Sequence, residues 1–213
     1  MIKEGCKYYL FCTGFGVSVF SSTDMKNWRR EMPVFSNLPE WVSKSLPGYR
    51  GNSIWAPDIS YHNGQYYLYY AVSSFGKNTS CIGVAVNKTL DSASKDFKWV
   101  DKGDVLQSIP GRDLWNAIDP NLSFDENSIP WLVLGSFWDG IKLVRLAPDL
   151  ISIAQPQQWY TLAKRPRDFQ RLILLQAMML LKALLFLKRI NTITCLCRGT
   201  IVAEVRKVIT KLL

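Results

Sequence analysis

Three runs of aromatic and β-branched residues recur along this chain about 60 residues apart: residues 7–13 (KYYLFCT), 65–72 (QYYLYYAV) and 130–134 (PWLVL). Each follows the same kind of lead-in. Asp58-Ile59-Ser60-Tyr61 and a His-Asn-Gly turn precede the second run. Asn121-Leu122-Ser123-Phe124 and an Asp-Glu-Asn turn precede the third, and Glu4-Gly5 before the first reads as the end of another copy. Short strands at a fixed long period, separated by turn residues, are the signature of a radial β-sheet repeat, and this spacing suits one four-stranded propeller blade with long loops. The expected fold is therefore all-β, with about three blades of an incomplete β-propeller.

Further strands are expected at residues 17–21, 81–86 and 141–146, which share the aromatic and β-branched bias. Helical periodicity is weak over the first 150 residues. Trp28, at the end of SSTDMKNW, reads as a hydrophobic wedge closing the outer part of the first blade, and Phe97-Lys98-Trp99 as the same device in the next. Aromatic residues at 13%, with Gly and Pro spread throughout, suit a β-rich extracellular protein.

The formal net charge of +9 suggests an anionic partner until it is divided along the chain. Residues 171–213 carry +7 of it, so the repeat region is nearly neutral, and neither nucleic acid nor a membrane is expected as its partner. The five cysteines (Cys6, Cys12, Cys81, Cys195 and Cys197) show no paired metal-ligand spacing, and the single histidine, His62, falls in an expected turn. No cofactor is expected. Sequons at Asn78, Asn87 and Asn121 are compatible with secretion, whereas Met1 runs almost at once into Lys-Glu-Gly and a strand, so no signal peptide is expected to open the chain.

The stretch Trp115-Asn116-Ala117-Ile118-Asp119-Pro120 reads as the chemistry-bearing motif, the other reading being that Asp-Pro merely starts a strand. Glycosidic cleavage needs carboxylates with separated pKa values and flat apolar surfaces for sugar rings. Asp119 is held against a proline at the entry to a strand, and Gly135-Ser136-Phe137-Trp138 follows as an aromatic shelf. The repeat alignment places Ala56 where the third copy has Asp119, so blade architecture does not demand the acid.

The ordered set KYYLFCTG, SSTDMKNW, Ser53-Ile54-Trp55-Ala56-Pro57-Asp58, NAIDP and GSFWDGI resembles glycoside hydrolase family 43, and within it the endo-1,5-α-L-arabinanases, over residues 1–169. The resemblance implies a five-bladed β-propeller that hydrolyses α-1,5-linked arabinan with inversion, secreted or periplasmic, acting on arabinan or arabino-oligosaccharide. It also implies three acidic residues: an Asp base that activates water, a Glu acid, and an Asp whose negative charge keeps that Glu protonated. Asp119 matches this last Asp. By the same resemblance Asn116, Ala117, Ile118, Ser136, Phe137 and Trp138 line the cleft, with Trp55 and Asp58 beside it. Trp55 and Trp138 read equally well as core tryptophans between blades.

The chain also departs from the family. The base is expected just upstream of Met1, and the family's central metal cannot be placed on these residues. After residue 169 the strand pattern stops, and residues 172–187 (LILLQAMMLLKALLFL) form an apolar, helix-like run shorter than the roughly 20 residues a spanning helix needs. Read one base out of frame, residues 178–212 can encode a blade-like string containing Ile-Glu-Gly-Pro-Phe, the kind of segment that carries the family's acid. Residues 170–213 are accordingly expected to be a frameshifted, non-homologous tail, and the chain to be an inactive fragment of an arabinan hydrolase. The alternative is a non-catalytic arabinan-binding or interaction module. A membrane-associated protein using the apolar tail is a third reading.

Overall fold

The computed structural model describes residues 1–164, so the apolar run and the expected tail lie outside the described residues. Within them the chain forms three antiparallel sheets and a single one-turn helix. The first sheet contains β1 (Ile2–Glu4), β2 (Lys7–Cys12), β4 (Ser18–Ser22) and β5 (Arg29–Arg30), with the two-residue β3 (Gly14–Phe15) in the β2–β4 connection. The second contains β6 (Ser53–His62), β7 (Gln65–Ser73), β8 (Ser80–Asn87) and β9 (Val100–Ser108), and β3 extends it through the pairs Gly14↔Ile54 and Phe15↔Ser53. The third contains β10 (Asn121–Phe124), β11 (Pro130–Ser136), β12 (Gly140–Arg145) and β13 (Trp159–Ala163).

The second sheet is the middle layer, which explains why its strands read as continuous apolar runs. Successive strand side chains point to opposite faces. In β7, Tyr66, Leu68, Tyr70 and Val72 enter a core shared with Tyr9, Phe11 and Val19 of the first sheet. Tyr67, Tyr69 and Ala71 enter a second core with Leu122, Leu132, Leu134 and Val144 of the third. Each large apolar side chain fully buried this way contributes about 1.5–3 kcal/mol.

Polar contacts fix the order of the layers. The Asp58 carboxylate in β6 accepts the backbone N–H of Leu122 in β10 at 3.0 Å. The Tyr69 hydroxyl donates to the Leu150 carbonyl. Glu4 accepts the Leu90 N–H at 2.6 Å and the Thr89 hydroxyl at 2.9 Å, fastening the first sheet to the β8–β9 connection.

The expected strands at 7–13, 17–21, 65–72, 81–86, 130–134 and 141–146 all form, with ends displaced by at most two residues. Trp99 packs against the first core, its ring edge-on to Phe11 at 5.9 Å, as a wedge should. Trp28 takes a different place: it lies outside that core and donates its indole N–H to the Met25 carbonyl at 3.2 Å. His62 ends β6 instead of occupying a turn, with its ring 4.6 Å from that of Phe124. The helix α1 (Trp41–Ser45) buries Trp41 and Val42, and the Trp41 indole donates to the Tyr70 hydroxyl at 3.3 Å. Gly83 admits this packing, because a Cβ there would lie 2.6 Å from the Trp41 ring.

Candidate active site

In the second and third sheets the start of the first strand lies beside the end of the second, and so beside the hairpin that leads to the third. Asp58 pairs with Tyr69 and Trp55 with Ala71 in the second sheet. In the third, Asn121 pairs with Val133, and the Ile118 carbonyl accepts the Gly135 N–H at 2.9 Å. Asp119 thus sits next to the 136–139 hairpin. Its backbone is left-handed, with φ of 53°, and Pro120 follows. Ala56, also followed by proline, has φ of 42° at the corresponding place in the second sheet. Positive φ is costly for residues other than glycine and collects where a site over-determines the backbone.

The Asp119 side chain is open to solvent on one side, while the protein packed behind it disfavours the charged form and raises its pKa above the ordinary carboxylate value. Asn116 and Ala117 are buried beneath this segment. The Asn116 amide donates to the Lys77 carbonyl at 3.2 Å and accepts the Ser108 hydroxyl at 3.4 Å, and the Ala117 N–H donates to Ser108 Oγ at 3.0 Å. The structure therefore uses Asn116 to anchor the loop on the second sheet. Ile118 packs at the edge of the second core, as does Trp55. Asp58, expected beside the cleft, spends one carboxylate oxygen on Leu122.

Ser136 accepts the Trp138 N–H at 3.3 Å, closing the hairpin that carries the aromatic shelf. Phe137 is 81% exposed and lies nearly parallel to Trp138, ring centres 5.9 Å apart. Behind the shelf Asp139 binds Lys142 and Lys164 through contacts of 2.8 Å each, and Lys142 also donates to the Thr161 hydroxyl at 3.0 Å. Hydrogen bonding from Lys142, then Lys164, lowers the Asp139 pKa.

The equivalent hairpins of the other sheets also present a phenylalanine. Phe75 between β7 and β8 is 94% exposed, and Phe15 between β2 and β4 is 47% exposed. Sequence reasoning missed both. The signal was available in the triplet TGFG, SSFG and GSFW, had the repeats been aligned at the hairpins as well as at the strand entries.

Among the described residues no group of three or more His, Cys, Asp or Glu side chains gathers as a metal-ion site would require. Nor does any helix among them have the length and apolarity to cross a membrane. Two of the three sequon asparagines are buried: the Asn78 amide donates to the Asp113 carbonyl at 2.8 Å, and Asn87 accepts the Lys98 N–H at 3.0 Å.

Comparison with known proteins places the chain in a family. The model of glycosyl hydrolases family 43 matches residues 1–172. The extracellular exo-α-(1→5)-L-arabinofuranosidase of Cellvibrio japonicus is 51% identical over 168 residues, 79% of this chain and 48% of the relative. The extracellular endo-α-(1→5)-L-arabinanase 1 of Bacillus subtilis is 44% identical over 172 residues, 79% of this chain and 51% of the relative. Among solved structures, Cellvibrio cellulosa α-L-arabinanase complexed with arabinohexaose superposes with a TM-score of 0.77 at 49% identity, covering 80% of this chain and 54% of that one. The chain spans about half the length of the curated relatives it matches.

Proposed function

The chain belongs to glycosyl hydrolases family 43, and from that premise we propose that its three sheets are consecutive blades of a five-bladed propeller whose hairpin-tip end receives arabinan. Blades converge at one end of a central axis, which would draw Asp119, Phe75 and Phe137 toward a common cleft. The carrying observation is the left-handed turn shared by Ala56 and Asp119, with a carboxylate at only one of them. The fold requires the turn; the acid at the third copy answers a chemical need. The names of the relatives, one arabinofuranosidase and two arabinanases, supply the substrate class, and the extracellular designation of the first two supports secretion of the parent protein.

In the intact parent the reaction is hydrolysis of α-1,5-linked arabinan with inversion. A base and an acid stand on opposite sides of the bond with space for water, and Asp119 keeps the acid protonated through like-charge repulsion. Of these three roles the resemblance assigns Asp119 to one, and our reading is that the chain binds arabinan and hydrolyses it negligibly. Titration calorimetry with arabinotetraose, paired with a reducing-sugar assay, tests this. Binding with negligible sugar release is expected. Turnover at the rate of a complete arabinanase would refute the inactive reading, and absence of binding would refute the substrate assignment.

A further inference from the structure

A second groove opens between the outermost strands of two sheets. Its walls are Leu106 and Gln107 at the end of β9 and Trp159 and Thr161 in β13, with Arg112 and Trp115 on the connecting loop, and it encloses about 520 Å³. That volume lies within the range of small-ligand sites. The groove is peripheral, whereas Asp119 enters the first strand of its sheet. Trp115 nevertheless precedes Asp119 by four residues, which limits the separation of their Cα atoms to about 14 Å.

Its chemistry selects for a neutral polyol. The Trp115 and Trp159 rings have centres 5.1 Å apart and are tilted by 40°, forming an angled apolar surface. Around it stand Gln107, Gln157 and Thr161. Gln157 accepts the Trp159 indole N–H at 2.9 Å and Thr161 the Lys142 ammonium at 3.0 Å, and the Gln157 amide N–H₂ and Thr161 O–H are donors of the kind that sugar hydroxyls accept. The charges are internally matched: Arg112 binds Asp113 at 2.7 Å, and Lys142 at the floor binds Asp139 at 2.8 Å. With each cation paired to a carboxylate, the lining has little net charge with which to attract an anion, and a neutral sugar leaves both pairs intact.

We propose that the Trp115–Trp159 groove is an accessory carbohydrate-binding site that holds a distal part of the same arabinan chain whose nearer sugars lie at the Asp119 end. The identity of the glycan rests on the arabinan reading above; the groove rests on its own lining. Such a site raises local substrate concentration by making the second contact intramolecular.

Affinity electrophoresis of the full chain through gels containing linear arabinan or xylan tests this, together with indole ¹H–¹⁵N spectra during arabinotetraose titration. Expected are retardation by arabinan, an approximately threefold or greater loss of affinity in Trp159→Ala and in Gln157→Ala, and displacement of the Trp115 and Trp159 indole signals. The exposed Gln157 and the spectra of the unmodified chain keep the test independent of folding in Trp159→Ala. Retardation by xylan alone, removed by Trp159→Ala, would uphold the groove and overturn the arabinan assignment. Unchanged retardation in both variants with unmoved indole signals would overturn the groove, as would a chain retarded by neither glycan.

Discussion

Ala56 and Asp119 hold the same left-handed backbone position in consecutive sheets, at φ of 42° and 53°, each immediately before a proline. The pairing separates conformation from chemistry: alanine accepts the geometry in one sheet, so the carboxylate in the next is not there to make the turn.

Asp119→Ala should therefore fold. Because burial raises the Asp119 pKa, the native state binds its proton more tightly than the unfolded chain does. That contribution favours folding at low pH and is lost as pH rises from the unfolded value through the folded one. Removing the carboxyl should leave stability nearly unchanged in acid and raise it progressively toward neutral pH. Melting curves of both proteins from pH 3 to 7 measure the difference, and a gain confined to acid would contradict the sign.

Asp139 carries the opposite dependence. Its pKa is lowered by Lys142 and Lys164, so its contribution is present above the unfolded carboxyl pKa and lost as pH falls through the folded value. The Asp139 and Lys142 side chains are each only 9% exposed, and Asp139→Ala leaves Lys142 buried without its carboxylate. The expected cost is about 3 kcal/mol at neutral pH, shrinking in acid. Denaturant unfolding at pH 7 and pH 3 reads both values.

Gly140 starts β12 with φ of 82°, and a Cβ there would lie 1.8 Å from the Ala163 carbonyl oxygen. Gly140→Ala should cost about 1–3 kcal/mol and detach β13 from β12. Hydrogen exchange should show protection lost along residues 159–163 before the remainder of the sheet.

Phe75 and Phe137 should separate stability from binding. Both rings are largely exposed, so Phe75→Ala and Phe137→Ala should change stability by at most about 0.5 kcal/mol. If the hairpin tips contact sugar, each substitution should weaken arabinotetraose binding by about two- to twelvefold, the equivalent of an aromatic contact worth about 0.5–1.5 kcal/mol. Calorimetry on variants matched for melting temperature checks this, and unchanged affinity in both would remove the tips from the cleft.

Legibility from sequence followed burial on both faces. Strands such as β7 and β8, buried on each side, announce themselves as apolar runs. By contrast β9 places Asp101, Lys102 and Asp104 along its open part, and β13 is an edge strand with Tyr160 and Leu162 exposed, so neither shows a clean pattern. At five residues α1 is too short for a helical period to emerge, and its Trp41 is held by Tyr70, 29 positions away. The place of Asp119 just before β10 was legible because Asp-Pro marks a strand entry. The anchoring role of Asn116 was not, because Ser108 and Lys77 reach it only through the tertiary fold.

The family match ends at residue 172, beside the point where the strand pattern stops in the sequence. We propose that residues 170–213 are read out of frame, and the coding DNA tests this directly: it should contain an open shifted frame encoding Ile-Glu-Gly-Pro-Phe. A shifted frame closed by stop codons would refute the proposal. With the frame corrected and the upstream coding sequence restored, the protein should release arabino-oligosaccharides of inverted anomeric configuration, detectable by NMR during early turnover. In that protein Asp119→Asn should lower kcat about 100-fold or more while sparing the fold, because it keeps the shape of the side chain and removes the charge that holds the acid protonated. The acidic-group pKa in the kcat/KM profile should fall in the variant. An unchanged profile with full activity would return Asp119 to the status of Ala56, a residue that only turns the chain.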